Sequence, residues 1–313
     1  VAYKATVLRV FPDALGSSLL IGGQIRQSVS TGLNVNAENV SGSPFPLYGS
    51  IQSINPRLTF STYDVAAALN ATGLLGLVIA ATTAGRVGVE LYELNYDDSG
   101  ILLTGSVHRR LKMRRGLLVP RSMNCENQGD LSLDLEMIAI SDGTNPPLEI
   151  EETVASPGTP TDPQRHTLGA IDVGGVTLTR VQSVAVDFGN QIDPQSAGSN
   201  PYATWLDFSS CRPAITINSK SPEQFASAGI PLVGLAATQA NTKLRFRRRV
   251  PQTASFVADG TAQHITLNAA GVASVDSAWN SNAQTDATAV FRLQALFDGT
   301  NAPLVISTAA TLP

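Results

Sequence analysis

The 313 residues are 43% hydrophobic and only 15% charged, with a formal net charge of −4. That apolar content excludes a disordered chain, and the mild acidity lacks the basic excess of a nucleic-acid-binding domain. Two cysteines, Cys125 and Cys211, and three scattered histidines give neither a disulfide framework nor metal-ligand spacing, and no run approaches the ~18–20 apolar residues of a membrane-spanning helix.

In chain order, YKATVLRVF from Tyr3, RLTFS from Arg57, GLVIAAT from Gly76, RVGVELYEL from Arg86 and LSLDLEMIAI from Leu131 predict strands, being rich in Val, Leu, Ile, Tyr and Thr. The first sixteen residues lack the long apolar core of a secretory signal. TYDVAAALNATG predicts one helix, capped by Thr62 or Asp64 and stopped by Gly73. NYDDSG after Leu94 predicts a hairpin tip, since it lacks the carboxylate spacing of a calcium loop. The Pro- and Thr-rich stretch around SPGTPTDPQRH predicts a linker over 153–165. Beyond it, Ser221-Pro222-Glu223-Gln224 reads as a capping box, with Ser221 as cap, Pro222 at the first helical position and Gln224 at the third. That helix should end near Gly229, and ADGTAQ from Ala258 predicts another turn.

The phrases SDGTNPPLEI and FDGTNAPLVI place Asp142, Gly143 and Asn145 156 residues before Asp298, Gly299 and Asn301. Their neighbours match as well. LSLDLEMIA falls on ATAVFRLQA in the same period-two phase, His108 falls on His264, and NPRLTF from Asn55 falls on RPAITI from Arg212. The chain therefore reads as a tandem duplication, with copies near 1–152 and 166–313, each long enough for its own core. The predicted fold class is mainly β: two duplicated β-sandwich or barrel domains, each with one short flanking helix.

Chemistry is sparse. Gly22-Gly23 and Gly174-Gly175 are followed by no phosphate-loop pattern, and no nucleophile elbow occurs. The reading is a protein without an active site or cofactor. Two basic clusters remain: Arg109, Arg110, Lys112, Arg114 and Arg115, and Lys243, Arg245, Arg247, Arg248 and Arg249. Neither has the aromatic platform of a base-stacking site. Glu90 and Glu93 stand where the second copy has arginines, so the expectation is first-copy acids facing second-copy arginines, and charges meeting those of neighbouring subunits.

The order of strands, the single helix, and the late strand ending in a turn before a final strand (GDLSLDLEMIAISDGTNPPLEI; TDATAVFRLQALFDGTNAPLVI) resemble the tail tube proteins of long-tailed bacteriophages, especially those with two fused tube domains. The resemblance spans the whole chain and is architectural. It implies a virion protein assembled in the host cytoplasm. Three chains would form a pseudo-sixfold ring, stacked into a tube with other tail proteins around a lumen through which DNA passes without specific binding. The same domain serves trimeric baseplate hubs. A capsid or decoration protein and a two-domain surface adhesin are the other classes this composition fits.

Overall fold

Alternation decides the central strands. Leu131, Leu133, Leu135 and Met137 are buried, while Ser132 and Asp134 on the opposite face keep partial exposure. Each such burial is worth ~1.5–3 kcal/mol, so a one-residue slip would forfeit four of them together. The computed structural model describes residues 4–10, 19–39, 41–79, 88–158, 163–198, 200–232, 238–280 and 287–313. Tyr3, Phe11, Arg86, Val87 and the end of GLVIAAT, parts of the predicted strands, lie outside those residues.

The first half contains β1 (Lys4–Val10), β2 (Leu19–Ile21), β3 (Gln24–Ser30), β4 (Leu33–Asn39), β5 (Pro46–Ile54), β6 (Arg57–Thr62), α1 (Val65–Thr72) and β7 (Leu77–Ile79). It continues with β8 (Val89–Asn95), β9 (Ser106–Met113), β10 (Arg115–Glu126), β11 (Ser132–Ile140) and β12 (Glu149–Ala155). The second half contains β13 (His166–Val173), β14 (Val176–Leu178), β15 (Val181–Asp187), β16 (Asn190–Gln195), β17 (Trp205–Cys211) and β18 (Ala214–Ser219). Then follow α2 (Pro222–Ser227), β19 (Thr238–Arg248), β20 (His264–Asn280), β21 (Thr288–Ala295) and β22 (Leu304–Ala310). β12 reaches Ala155, so residues 153–155 of the predicted linker belong to a strand instead.

The protein is mainly β. A five-stranded sheet has the order β12-β9-β8-β1-β2, and a thirteen-stranded sheet runs β14-β13-β19-β20-β21-β18-β15-β10-β11-β6-β3, with β22 on β20 and β7 on β10. Two ribbons, β4–β5 and β16–β17, stand apart. The pairing order of the first half, β2-β1-β8-β9-β12 and β3-β6-β11-β10, recurs in the second as β14-β13-β19-β20-β22 and β15-β18-β21-β20. Registers recur with it: Leu135 faces Phe60 as Phe291 faces Ile217, and Gly116 faces Ala139 as Gly271 faces Ala295. The long β19 does in one strand what β7 and β8 do in two, and β20 replaces β9 and β10. Among the described residues no barrel closes, contrary to the barrel alternative, because β3 and β14 end the large sheet with one neighbour each.

Most of the buried apolar side chains form one continuous cluster through both halves, with Tyr92 and Leu94 in a small second cluster of the first half. Phe225 of α2 stacks on Phe291 of β21, ring centroids 5.4 Å apart. Gly32 and Gly189 open the two ribbons at φ of 57° and 61°. A Cβ on either would lie 2.1 Å from the carbonyl oxygen of Asn55 or Arg212, so only glycine fits.

Both helices sit where predicted, but the capping box does not form. Ser221 makes no side-chain cap bond. Gln224 instead turns to the sheet, its Oε1 accepting from Thr179 N at 2.7 Å and its Nε2 donating to Thr179 Oγ1 at 3.0 Å. Asp64 likewise makes no side-chain cap bond for α1. Thr62 Oγ1 donates to Gly22 O and accepts from Asp64 N, which ties the helix entry to β2.

Candidate functional site

Arg109, Arg110 and Lys112 of the first basic cluster lie on β9, between the acids of β8 and β12, and Arg114 follows it. Register sets Glu90 opposite Lys112 and Tyr92 opposite Arg110 on one side, and Glu149 and Glu151 opposite the same two cations on the other. Arg110 Nη1 pairs with Glu90 at 2.7 Å and its Nη2 with Glu151; Lys112 pairs with Glu149 and Glu151; Arg114 pairs with Glu149 at 2.7 Å. On the other face Arg109 reaches Glu152 at 2.9 Å and Glu93 at 3.6 Å. Tyr92 donates to Glu90, and Arg110 lies over its ring. Burial pushes the Lys112 ammonium below its ordinary range; Glu149 opposes this, and Arg110 and Arg114 add to it. Arg115 opens β10 opposite Ile140.

Within the chain, Glu90 and Glu93 pair with Arg110 and Arg109 of their own half. The cross-strand register of β8, β9 and β12 brings acid, base and acid together on one three-stranded ladder. The second cluster is also matched mainly at home. Arg245 pairs with Asp172 at 2.6 Å and Arg247 with Asp259 at 3.0 Å, while Arg248 donates to Gln263. Lys243 sits opposite Asp172 and Asn268. The Arg245 guanidinium holds the Asp172 carboxyl below its usual range against the effect of burial. Asp130 reaches across the halves, binding Arg249 at 2.9 Å, and it also binds Arg165 at the end of the linker at 3.1 Å.

Asp130 belongs to a joint that the sequence reading did not anticipate. The end of β10 pairs with β15, Asn124 opposite Ala185 and Met123 opposite Val186. Around it, Ile54 N donates to Pro201 O, Ser141 N to Ala203 O and Leu131 N to His166 O. Asn190 donates to the carbonyls of Leu74 and Pro120, and Thr308 Oγ1 of β22 donates to Asn70 of α1. Arg249, Asp130, Arg165, Arg248 and Gln128 line a cavity of about 680 Å³ at the same seam. Its guanidinium groups are directed at Asp130, Gln263 and the Gln128 carbonyl, which gives it the character of a polar seam.

The two DGTN turns are alike in detail. Asp142 Oδ1 accepts from Thr144 N and Asn145 N at 2.9 and 2.6 Å, and Asp298 Oδ1 from Thr300 N and Asn301 N at 2.8 and 2.6 Å. Gly143 and Gly299 both take positive φ. The Asn301 amide and backbone bonds lower the Asp298 carboxyl to about 2. His108 and His264 are also alike: each ring accepts a backbone N–H, from Asn95 or Arg248, and faces a carbonyl with Nε2. Burial pushes the Cys125 thiol up to about 12, which removes its reactivity.

Among the described residues no group of three or more His, Cys, Asp or Glu could hold a metal ion, and no helix is long and apolar enough to cross a membrane. No protein-family description matches the sequence, and no curated protein matches it. The arrangement pairs charges within sheets and joins two like halves edge to edge.

Proposed function

We propose that the chain is a structural, self-assembling subunit built by tandem duplication. In this reading it is a bacteriophage tail tube protein whose two tube-like domains, near 1–152 and 166–313, place three chains in a pseudo-sixfold ring. The observation that carries the reading is the β10–β15 joint, in which one half extends its sheet into the other by antiparallel pairing. A domain that pairs with its own like at an edge has the geometry of a repeating lateral contact. The resemblance of strand order to tube domains supplies the biological setting, and the absence of an evident catalytic motif in the sequence agrees with a structural role.

Stacking into a tube needs a second, axial contact. Tyr48 and Ile51 on one ribbon and Trp205 and Phe208 on the other are exposed in both halves. The lateral joint therefore does not cover them, and they supply apolar surface for ring-on-ring contact. DNA would pass through the lumen without a specific site, which a chain of net charge −4 suits better than a basic one.

Negative-stain electron microscopy of the purified protein at high concentration tests the proposal. Hollow tubes or stacked rings with threefold averages are expected. Isolated trimeric rings at every concentration would favour a baseplate hub instead, and a monodisperse monomer would move the reading to a decoration protein or adhesin.

A further inference from the structure

We infer that successive chains join head to tail by repeating the internal joint: the β3 edge and Phe45 turn of one chain receive the open end of β20, Cys211 and Phe297 of the next. The inference rests on the self-assembly in the reading above, but not on a phage tail as its setting.

The internal contacts all run in one sense. The first half contributes the end of β10, Ile54 and Ser141; the second contributes β15, Pro201 and Ala203. Register identifies the positions that correspond. β15 lies on β18 as β3 lies on β6, so Val186 corresponds to Val29 and Ala185 to Ser28. Asn280 stands against Thr288 where Asn124 stands against Ser132. Cys211 ends β17 as Ile54 ends β5, and Phe297 follows β21 as Ser141 follows β11. Each half thus carries both sides of the joint, and the chain uses only one of each.

The unused sides are the ones left open. Val29 is 37% exposed and Val186 0%; Leu296 is 44% exposed and its counterpart Ile140 5%; Phe297 is 64% exposed and Ser141 4%. Leu33 is exposed, while its counterpart Asn190 is buried. β3 has β6 as its one strand neighbour, and β20 beyond Ala273 has β21 alone, among the described residues. A seven-residue edge strand exposed along nearly its whole length is a liability unless another strand covers it. The occupant that fits β3 is the one already seen on β15, a β10-type strand, and among the described residues the strand of that type with no such neighbour is the end of β20, here from a second copy. Asn280 then sits opposite Ser28, Cys211 N donates to Pro44 O, and Phe297 N donates to Pro46 O. This heterologous contact closes into a ring or propagates as a filament.

The test uses the native thiol. Ile54 bridges to Tyr202 within the chain, and Phe45 corresponds to Tyr202, so Cys211 of one chain meets residue 45 of the next. Phe45→Cys is expected to give a ladder of disulfide-linked oligomers under mild oxidation, lost on reduction and in Phe45→Cys/Cys211→Ser. Phe297→Asp, at an exposed position, should weaken association at least tenfold in sedimentation velocity with unchanged far-ultraviolet circular dichroism. Equal cross-linking in the double variant, or unchanged association of Phe297→Asp, overturns the joint. Rings or tubes in the microscope without a Cys211 cross-link keep the tube reading and reject this joint. A Cys211 cross-link without rings or tubes keeps the joint and rejects the tube.

Discussion

Gly189 and Gly198 share nearly the same backbone angle, φ of 61° and 64°, but not the same surroundings. A Cβ on Gly189 would lie 2.1 Å from Arg212 O, whereas one on Gly198 meets nothing within 4 Å. Left-handed backbone costs an alanine ~1 kcal/mol at either position. Crowding adds to it only at Gly189, where the ribbon cannot open without breaking the Arg212 N to Gly189 O bond. Gly189→Ala should therefore cost ~2–3 kcal/mol and Gly198→Ala ~1 kcal/mol, measured by chemical denaturation at fixed protein concentration. Equal losses would mean that the ribbon yields to the new methyl group and that φ alone matters. Gly32 occupies the same place in the first ribbon, against Asn55 O. Neither glycine sits in an obvious Asn-Gly or Asp-Gly turn, so the sequence carried no local signal for this requirement.

At the scale of elements, α2 separates what sequence could locate from what it could not. Pro222 and Gly229 marked the helix ends because each acts through local backbone chemistry. The partner of Gln224 depended on β14 ending beside α2, a tertiary fact. Since Gln224 bonds Thr179 and Ser221 makes no cap bond, Gln224→Ala should cost ~1 kcal/mol and Ser221→Ala under about 0.5 kcal/mol. Similar losses from both, read from thermal unfolding, would restore the capping box. The same distinction covers the rest. Period-two alternation placed β11 and β21 in phase, and repeated turns placed Asp142 and Asp298. The basic clusters were visible, but their partners were set by strand order. Asp130, a lone acid just after a turn and bridged to Thr167, had no pattern to announce it. The β3 edge was equally silent, because exposure of an edge is a property of the sheet and not of the strand.

For the whole molecule, the joint between halves carries a titratable group. His166 begins β13, and its carbonyl accepts from Leu131 N of the first half. Its ring is buried, with Nδ1 3.0 Å from Gln164 O and Nε2 3.2 Å from Gln263 O. Burial pushes the imidazole down to about 4, the two carbonyls oppose it, and Arg248 and His264 add to the lowering. A neutral ring can donate to only one of those carbonyls, so the geometry alone would favour the cation; complete burial outweighs it. The folded state then binds its proton later than the unfolded state, whose histidine titrates near 6.5. The contribution is fully present above about pH 6.5 and is lost as pH falls toward 4, a difference of about 3 kcal/mol. His166→Gln should flatten that part of the stability profile. A ring titration followed by nuclear magnetic resonance should show a midpoint near 4, with the Leu131 amide losing exchange protection over the same range. A midpoint at or above 6.5 would mean that the paired carbonyls dominate, and acid would then tighten the seam between the halves rather than loosen it.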